Sequence, residues 1–433
     1  MRTGAQGDVG ALTVAEGRGR GGTGPSLRDL PVNDQAEALY RATLCDPLGR
    51  PPYAAYRRLR EVAPRLRTAD GALILSTYRD CAEALHHRGL GKGEFQPSAG
   101  SPNGTVARRA GAGEDSFTPP SGLLAFVNPP DHTRLRRLAS VAFQDLPRLR
   151  AAITSFVDAL LAELPANGDF VATVAEPLPA LATGELLGVP AGDVAEVRAL
   201  SRSAFTLLTP NLLGHDPAGA VAAWRGLSRY FAALLRDGSR RRGDTGLGRM
   251  AARGVQDGID DADVATTATV LSVAGYQTTA NLLGNGLHSL LGSPDQLRAL
   301  RADPALTPQA VDEMLRHDAP VHTVPGETLR RTTLAGLVLE AGEQVICLIG
   351  AANRDPDRYR DPDRFDIRRR AGAHLAFAAG PHYCIGAHLA RLQAEIVFTR
   401  LLATYHDIEL AGAPVGHPGT TIHGLRELPV DVA

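Results

Sequence analysis

Along most of the chain, apolar positions recur at helical spacing. In 151–164, Ile153, Phe156, Val157, Leu160 and Leu161 fall on one face and predict an amphipathic helix. The same reading predicts helices near 175–187, 191–208, 218–237, 261–292, 294–302 and 308–317. A strong amphipathic pattern predicts a further helix over 387–405. The proline pair 51–52 marks a helix start that runs to Leu59. Shorter β-branched runs behave differently. Residues 71–77 read as a strand, 329–349 as a small sheet, and the last 30 residues as short strands. The expected fold is mainly α with small β sheets in a single domain.

Two segments lack this patterning. Residues 1–37 are poor in large apolar side chains and glycine-rich at 17–24, so they are expected to form a disordered N-terminal extension before a domain spanning 38–433. Residues 89–121 are rich in Gly, Ser, Pro and Thr, and are expected to form a mobile lid. No run of about 18 apolar residues occurs, and the N-terminus lacks a signal-peptide core. The expectation is a cytoplasmic protein with no membrane contact.

Charge narrows the choice of partner. The 433 residues carry 46 basic and 47 acidic side chains, for a net charge of -1. A dedicated nucleic-acid binder is normally basic, so nucleic acid is excluded as a main partner. Lys92 is the only lysine; the other basic residues are arginine. That bias fits a GC-rich genome, so individual arginines carry little functional meaning. The four cysteines, Cys45, Cys81, Cys347 and Cys384, show no CxxC spacing and do not suggest a disulfide framework.

Cys384 differs from the other three. It lies between Gly380 and Gly386, immediately before a predicted helix, in the segment His374-Leu-Ala-Phe-Ala-Ala-Gly-Pro-His-Tyr-Cys-Ile-Gly-Ala-His-Leu-Ala-Arg391. A helix N-terminus stabilises a thiolate through free N–H donors and the helix dipole. Cys45, Cys81 and Cys347 read as packing residues. The segment resembles the haem-binding signature Phe-Gly-x-Gly-x-His-x-Cys-x-Gly of the cytochrome P450 family, the haem-thiolate monooxygenases. Phe377, Gly380, His382, Cys384 and Gly386 match it, whereas Ala378 stands at the first glycine. The resemblance implies haem b, with Cys384 as iron ligand, Phe377 packed near the sulfur and His382 on a propionate. The single extra methyl of Ala378 is expected to need only a small adjustment of the loop.

Three further segments resemble the family in order and spacing. Glu313-Met-Leu-Arg316 is a Glu-x-x-Arg pair sharing a helix face, a spacing that alone also suits an exposed ion pair. The resemblance implies a buried structural network with a later arginine, taken as Arg364 in Pro362-Asp-Arg-Phe365. In Asn128-Pro-Pro-Asp-His-Thr-Arg-Leu-Arg-Arg-Leu138, His132 and Arg136 lie one turn apart, as a solvated basic helix or an anion site would have them. The resemblance implies that both bind haem propionates. Arg134 and Arg137 point elsewhere on the helix, and the expectation is that they help dock an acidic ferredoxin. In Ser272-Val-Ala-Gly-Tyr-Gln-Thr-Thr-Ala280, Gly275 and two threonines are poor helix choices unless the helix packs closely there. The match is to the family's oxygen-binding groove. It implies that Ala274 and Gly275 leave room for O2 and that Thr278 relays protons. Gln277 replaces the usual acid, and an amide cannot ionise. A second departure is Gly326, placed where many members carry a propionate-binding arginine. Arg330 and Arg331 are the candidate replacements.

The resemblance covers residues from about 38 to the end. It implies a single-domain cytochrome P450 fold with haem between the I helix, about 261–292, and the L helix, about 387–405. The expected activity is oxidation of a small organic secondary metabolite by a monomer, using O2 and electrons from ferredoxin and ferredoxin reductase. Substrate contacts are expected from the 89–121 lid, 201–215, Val273, Ala274, Gln277, 320–324 and 420–422. With Gln277 in place of an acid, a non-hydroxylating oxidation such as oxidative coupling is the main alternative. A degenerate haem protein acting as a recruitment module is the lesser one.

Overall fold

The computed structural model describes residues 24–44, 51–92, 123–208, 217–238, 243–370, 372–419 and 421–433. The 89–121 lid beyond Lys92, the 209–216 part of the substrate region, Cys45 and Thr420 therefore lie outside the described residues.

Helices dominate, as the pattern predicted. The central one is Asp261–Leu291, with 31 residues and a length of about 46 Å at the usual rise per residue. Its sequence is apolar or small on nearly every side, so it can be stable only when surrounded. It packs against Pro177–Leu187, Val194–Phe205, Pro217–Arg236, Thr307–His317 and Ala387–Thr404. Asp260 caps its start by accepting the Asp263 N–H at 2.8 Å. Gly286 lets two neighbours approach at once. A Cβ there would lie 2.8 Å from Met314 Sδ and 2.9 Å from Phe398 Cζ. Met314 belongs to the Glu313 helix, Thr307–His317, and Phe398 to the cysteine helix, Ala387–Thr404. A side chain at one position would therefore push apart three helices that carry the candidate chemistry.

The main sheet has the strand order Arg65–Arg67, Leu73–Leu75, Gln344–Leu348, Thr323–Thr328 and Leu90–Gly91. Leu73–Leu75 runs parallel to Gln344–Leu348, and the other pairs are antiparallel. The sheet begins at Thr323, earlier than the 329 boundary that the β-branched runs suggested. The C-terminal strand Pro429–Val432 pairs with Asn167–Asp169 and Ile408–Leu410. It thus ties the end of the chain to its middle.

The ordered domain starts before residue 38. Ser26 bridges Val338, Leu27 is buried, and Asn33 caps the helix Asp34–Ala42. Two buried apolar side chains, Leu27 and Ala36, together with backbone pairing fix this stretch, although its composition suggested an extension. The helix expected over 151–164 begins at Leu146, because Asp145 supplies a cap to Arg148 N–H. Among the described residues, no helix is long and apolar enough to cross a membrane.

Candidate active site

Cys384 sits in a loop tied back on itself and then continued as a helix. Its N–H donates to Phe377 O at 2.9 Å. Gly380 has φ +66, and a Cβ there would lie 2.2 Å from Leu85 O. That position accepts only glycine. Ala378 has φ +56, the left-handed region. The methyl is therefore a strained backbone choice and not the minor change the sequence suggested. Phe377 is stacked by the Arg391 guanidinium, whose carbon lies 4.6 Å from the ring centroid. Arg391 is itself held by Asp312 at 2.8 Å, and the same carboxylate takes His374 at 3.4 Å. Asp312 thus anchors the loop from the Glu313 helix, a role the sequence did not reveal.

The Cys384 thiol is accessible, yet the surrounding protein desolvates it and pushes its pKa up. The Gly386 N–H, Arg136 and Arg391 pull the other way. The balance is that of a cleft-bound sulfur with positive groups around it. Cys81 and Cys347 are buried, with Cys81 Sγ donating to Leu75 O at 3.3 Å. They are packing residues, as expected.

The basic helix Asp131–Ser140 begins at the Pro-Pro-Asp turn. It presents buried His132 and half-buried Arg136 on one side. The His132 ring lies 4.2 Å from that of His382. Both imidazoles are held below their ordinary pKa. For His132 burial is the main cause, followed by Arg136 and Lys92. For His382 burial is again first, then Lys92, His132 and Arg136, which together bring it to about 3. His132 Nε2 is buried without a hydrogen-bond partner. Arg134 does not join this set: it pairs with Asp263 at 3.0 Å. It is therefore tied to the long helix while staying partly accessible, and Arg137 is exposed.

The Glu-x-x-Arg pair is buried and bidentate. Arg316 Nε meets Glu313 Oε2 at 2.7 Å, and Nη2 meets Oε1 at 2.9 Å. The later arginine is Arg369, correcting the assignment to Arg364. Arg369 Nε reaches Glu313 Oε1 at 3.1 Å. Arg364 has an exposed side chain and contributes only its carbonyl, which accepts from Arg316 and Arg369 at 3.2 and 2.9 Å. Spacing from Phe365 could not separate these two arginines. The turn that places one carbonyl and the other guanidinium inward decides it.

Within the long helix, Ala274 is exposed and Gly275 and Thr278 are half-buried, while Val273, Tyr276 and Gln277 are buried. The accessible positions share a face at i, i+1 and i+4. Thr278 Oγ1 donates to Ala274 O at 3.0 Å. Gly275 also has a close neighbour, since a Cβ there would stand 3.3 Å from Thr183 Oγ1. Gln277 points away from the accessible face. Its Nε2 donates to Asn281 Oδ1 at 3.0 Å and lies 3.4 Å from His417 Nε2. Val273 and Gln277 are therefore not on the open face expected for substrate contacts.

Two other expected contact segments are zipped together. Val321 bridges Ile422, His322 N–H donates to Thr421 O at 2.9 Å, and His423 N–H donates to Pro320 O at 2.9 Å. Behind them lies a buried polar cluster. His423 pairs with Asp318 at 3.1 Å, His322 stacks on His423 at 4.8 Å, and Tyr53 donates to Asp318. None of this pairing is encoded by local periodicity.

The site residues fit haem b on two structural grounds. An accessible thiol stands at a helix start among positive groups. A buried, partnerless His132 Nε2 lies in a set of cationic donors suited to carboxylates.

Comparison with known proteins gives the same class. A family model described as Cytochrome P450 matches residues 244–410. Cytochrome P450 monooxygenase PikC of Streptomyces venezuelae is 36% identical over 402 residues, covering 88% of this chain and 90% of its own. Cytochrome P450 107B1 of Saccharopolyspora erythraea is 36% identical, covering 87% and 93%. Among solved structures, P450BioI in complex with hexadec-9Z-enoic acid ligated acyl carrier protein superposes with TM-score 0.79 at 28% identity, covering 88% of this chain and 98% of that one. CalO2 gives TM-score 0.78 at 29% identity, covering 93% and 99%. The fold and site define a haem-thiolate oxygenase. The chain belongs to the cytochrome P450 family: it is a haem b protein and an oxidoreductase of the monooxygenase type.

Proposed function

We propose that this protein oxidises a small organic substrate of secondary metabolism, with electrons from a separate ferredoxin and ferredoxin reductase. The observation that carries this reading is the short accessible face Ala274–Gly275–Thr278 within an otherwise buried helix. A helix built only for packing has no reason to open one turn at its centre. The relatives support a biosynthetic role: one neighbouring structure is the cytochrome P450 enzyme CxnD for C–S bond formation in chuangxinmycin biosynthesis, and another is P450 RauA complexed with a biosynthetic intermediate of aurachin RE.

Bound haem, held through Cys384, supplies the activation of O2. His132, Arg136 and His382 hold its propionates, and Phe377 covers the sulfur side with Arg391 stacked behind it. Gly386 donates its N–H toward the thiolate, which moderates the charge on sulfur. Thr278 donates its proton to Ala274 O, leaving its lone pairs to accept a hydrogen bond; it takes part in a relay by turning to donate that proton while accepting a replacement from a neighbouring donor. Gln277 orients its neighbours and does not ionise. Cytoplasmic location and a monomeric state complete the reading. The exposed Arg137 is the group on the basic helix open to an acidic redox partner.

Two measurements test it. The reduced carbon monoxide complex shows the red-shifted Soret band of thiolate-ligated haem, and Cys384→Ala abolishes it. Screening candidate metabolites by spin-state shift, then measuring product mass, separates the reactions. A gain of one oxygen means hydroxylation, and a loss of two hydrogens means coupling. A protein that shows the Soret band but turns over no substrate with competent redox partners is a recruitment module, and the proposal fails.

A further inference from the structure

We propose that Lys92, the only lysine in the chain, is a cationic anchor for a haem propionate. It does, from the position just after the strand Leu90–Gly91, what no residue of the paired strand Thr323–Thr328 can do. The inference rests on the haem reading and adds a residue to that site.

Lys92 is fixed at both ends. Its backbone N–H donates to Asn128 Oδ1 at 2.8 Å, and its carbonyl accepts from Asn128 Nδ2 at 2.6 Å. Asn128 O in turn accepts the His132 N–H at 2.9 Å, the first bond of the basic helix. Lys92 is thereby locked to the turn that aims His132 and Arg136. At the other end, Nζ donates to Pro325 O at 2.8 Å. An ammonium has three donors, so this bond leaves two.

The ammonium does not stand alone. His132 and His382 both feel its charge and that of Arg136. Four cationic or potentially cationic groups, Lys92, His132, Arg136 and His382, converge from three chain segments. Among the described residues, no carboxylate forms an ion pair with any of them. Lys92 and Arg136 are two cations of like sign, and like charges without a counterion destabilise a fold, while the two imidazoles beside them are ring N–H donors. Such a set persists when an anion completes it, and His132 Nε2, buried without a partner, marks where one is missing. A haem presents two carboxylates, which matches four donors better than one would.

The neighbouring strand explains why a lysine is needed. Gly326 has no side chain, and it follows Pro325, the residue that receives Nζ. Arg330 and Arg331 are exposed, and Arg331 turns to Glu340 at 3.4 Å. Neither replaces a cation at Gly326.

The test uses the haem-loaded enzyme and two variants, Lys92→Met and Lys92→Arg. The readout is the rate of haem transfer to excess apomyoglobin. Lys92→Met is expected to speed haem loss about tenfold, the effect of one charge-assisted hydrogen bond. Lys92→Arg is expected to restore retention to within about threefold. The haem reduction potential of Lys92→Met should move negative, since a positive charge near the group has gone. An unchanged rate of haem loss in Lys92→Met overturns the proposal, as does equal loss from both variants. If Lys92→Met fails to fold, the parent protein answers instead. Its single ε-amine, followed by peptide mass spectrometry after treatment with an acylating reagent, is expected to react more slowly in the haem-loaded protein than in the haem-free protein. Equal labelling overturns the proposal. Failure of the haem reading is seen separately, as a parent protein without the thiolate Soret band.

Discussion

The rings of His132 and His382 lie 4.2 Å apart, one on the basic helix and the other two residues before Cys384. Among the described residues neither ring pairs with a carboxylate, and His132 Nε2 is buried without a hydrogen-bond partner. This pair brings into ring contact two segments that lie far apart in the chain.

His132→Leu should therefore separate stability from cofactor binding. A buried, unpartnered polar group costs stability, and an apolar side chain of similar size removes that cost. The melting temperature of the haem-free protein is expected to stay level or rise. Haem loss from the loaded protein should accelerate about tenfold. A drop in haem-free stability with unchanged haem retention would assign His132 to the scaffold alone.

Arg369 and Arg364 make a matched comparison. Arg369→Ala removes a side-chain partner of buried Glu313 and should destabilise by about 2–4 kcal/mol. Arg364→Ala leaves the carbonyl in place, so the change should stay within about 0.5 kcal/mol. Urea unfolding of both variants measures the difference. Equal losses would show that the Arg364 side chain also reaches the network.

Ala378→Gly relieves a left-handed backbone. That conformation costs an L-residue about 1–2 kcal/mol. Glycine returns about 0.5–1 kcal/mol of chain entropy. The expected outcome is a stabilisation of about 0.5 kcal/mol, read from thermal unfolding. A clear loss would mean that the Ala378 methyl makes a contact outweighing its strain.

Gln277→Glu tests the departure at the acid position. The pocket already holds suitable donors: Asn281 Nδ2 is buried without a partner, and His417 Nε2 lies 3.4 Å from the Gln277 amide. A carboxylate can be accepted there with a turn of the Asn281 amide. Faster turnover with less peroxide is expected if proton supply limits the parent enzyme. Thr278→Ala should do the opposite, releasing more peroxide per electron. Identical peroxide yields in the parent and Thr278→Ala would remove Thr278 from the relay.

His417 gives a pH dependence. Burial, then Arg426, His423 and Arg202, hold its pKa near 4, below the ordinary 6.5. The unfolded chain therefore binds a proton between those values while the folded protein does not. By linkage, this group's contribution to stability is full above pH 6.5 and is lost as pH falls toward 4. His417→Gln should flatten the loss of stability over that window. An unchanged slope in denaturation followed from pH 7 to pH 4 would show that other groups dominate it.

Much of the fold was legible because long amphipathic runs carry their own periodicity. The helices at 218–237, 261–292, 294–302 and 387–405 lie within a residue or so of the observed ends. The start of the ordered chain and the true start of the sheet were not legible, because pairing with distant strands fixes them. Cys384, Glu313 and Arg316 could be found because their chemistry is bound to a local spacing. Arg369, Asp312, Asn281 and His417 could not, because each acts across segments far apart in the chain.

The sequence by itself determined the helical architecture, the thiolate loop and the residue types available at the site. Only the tertiary structure decided which arginine completes the Glu313 network and which side of the long helix is open. It alone also turned Gln277 toward Asn281 and tied the single lysine to the turn that starts the His132 helix. Local spacing encodes what one helix or turn can do, whereas charge convergence and burial arise only when separate segments pack and desolvate one another.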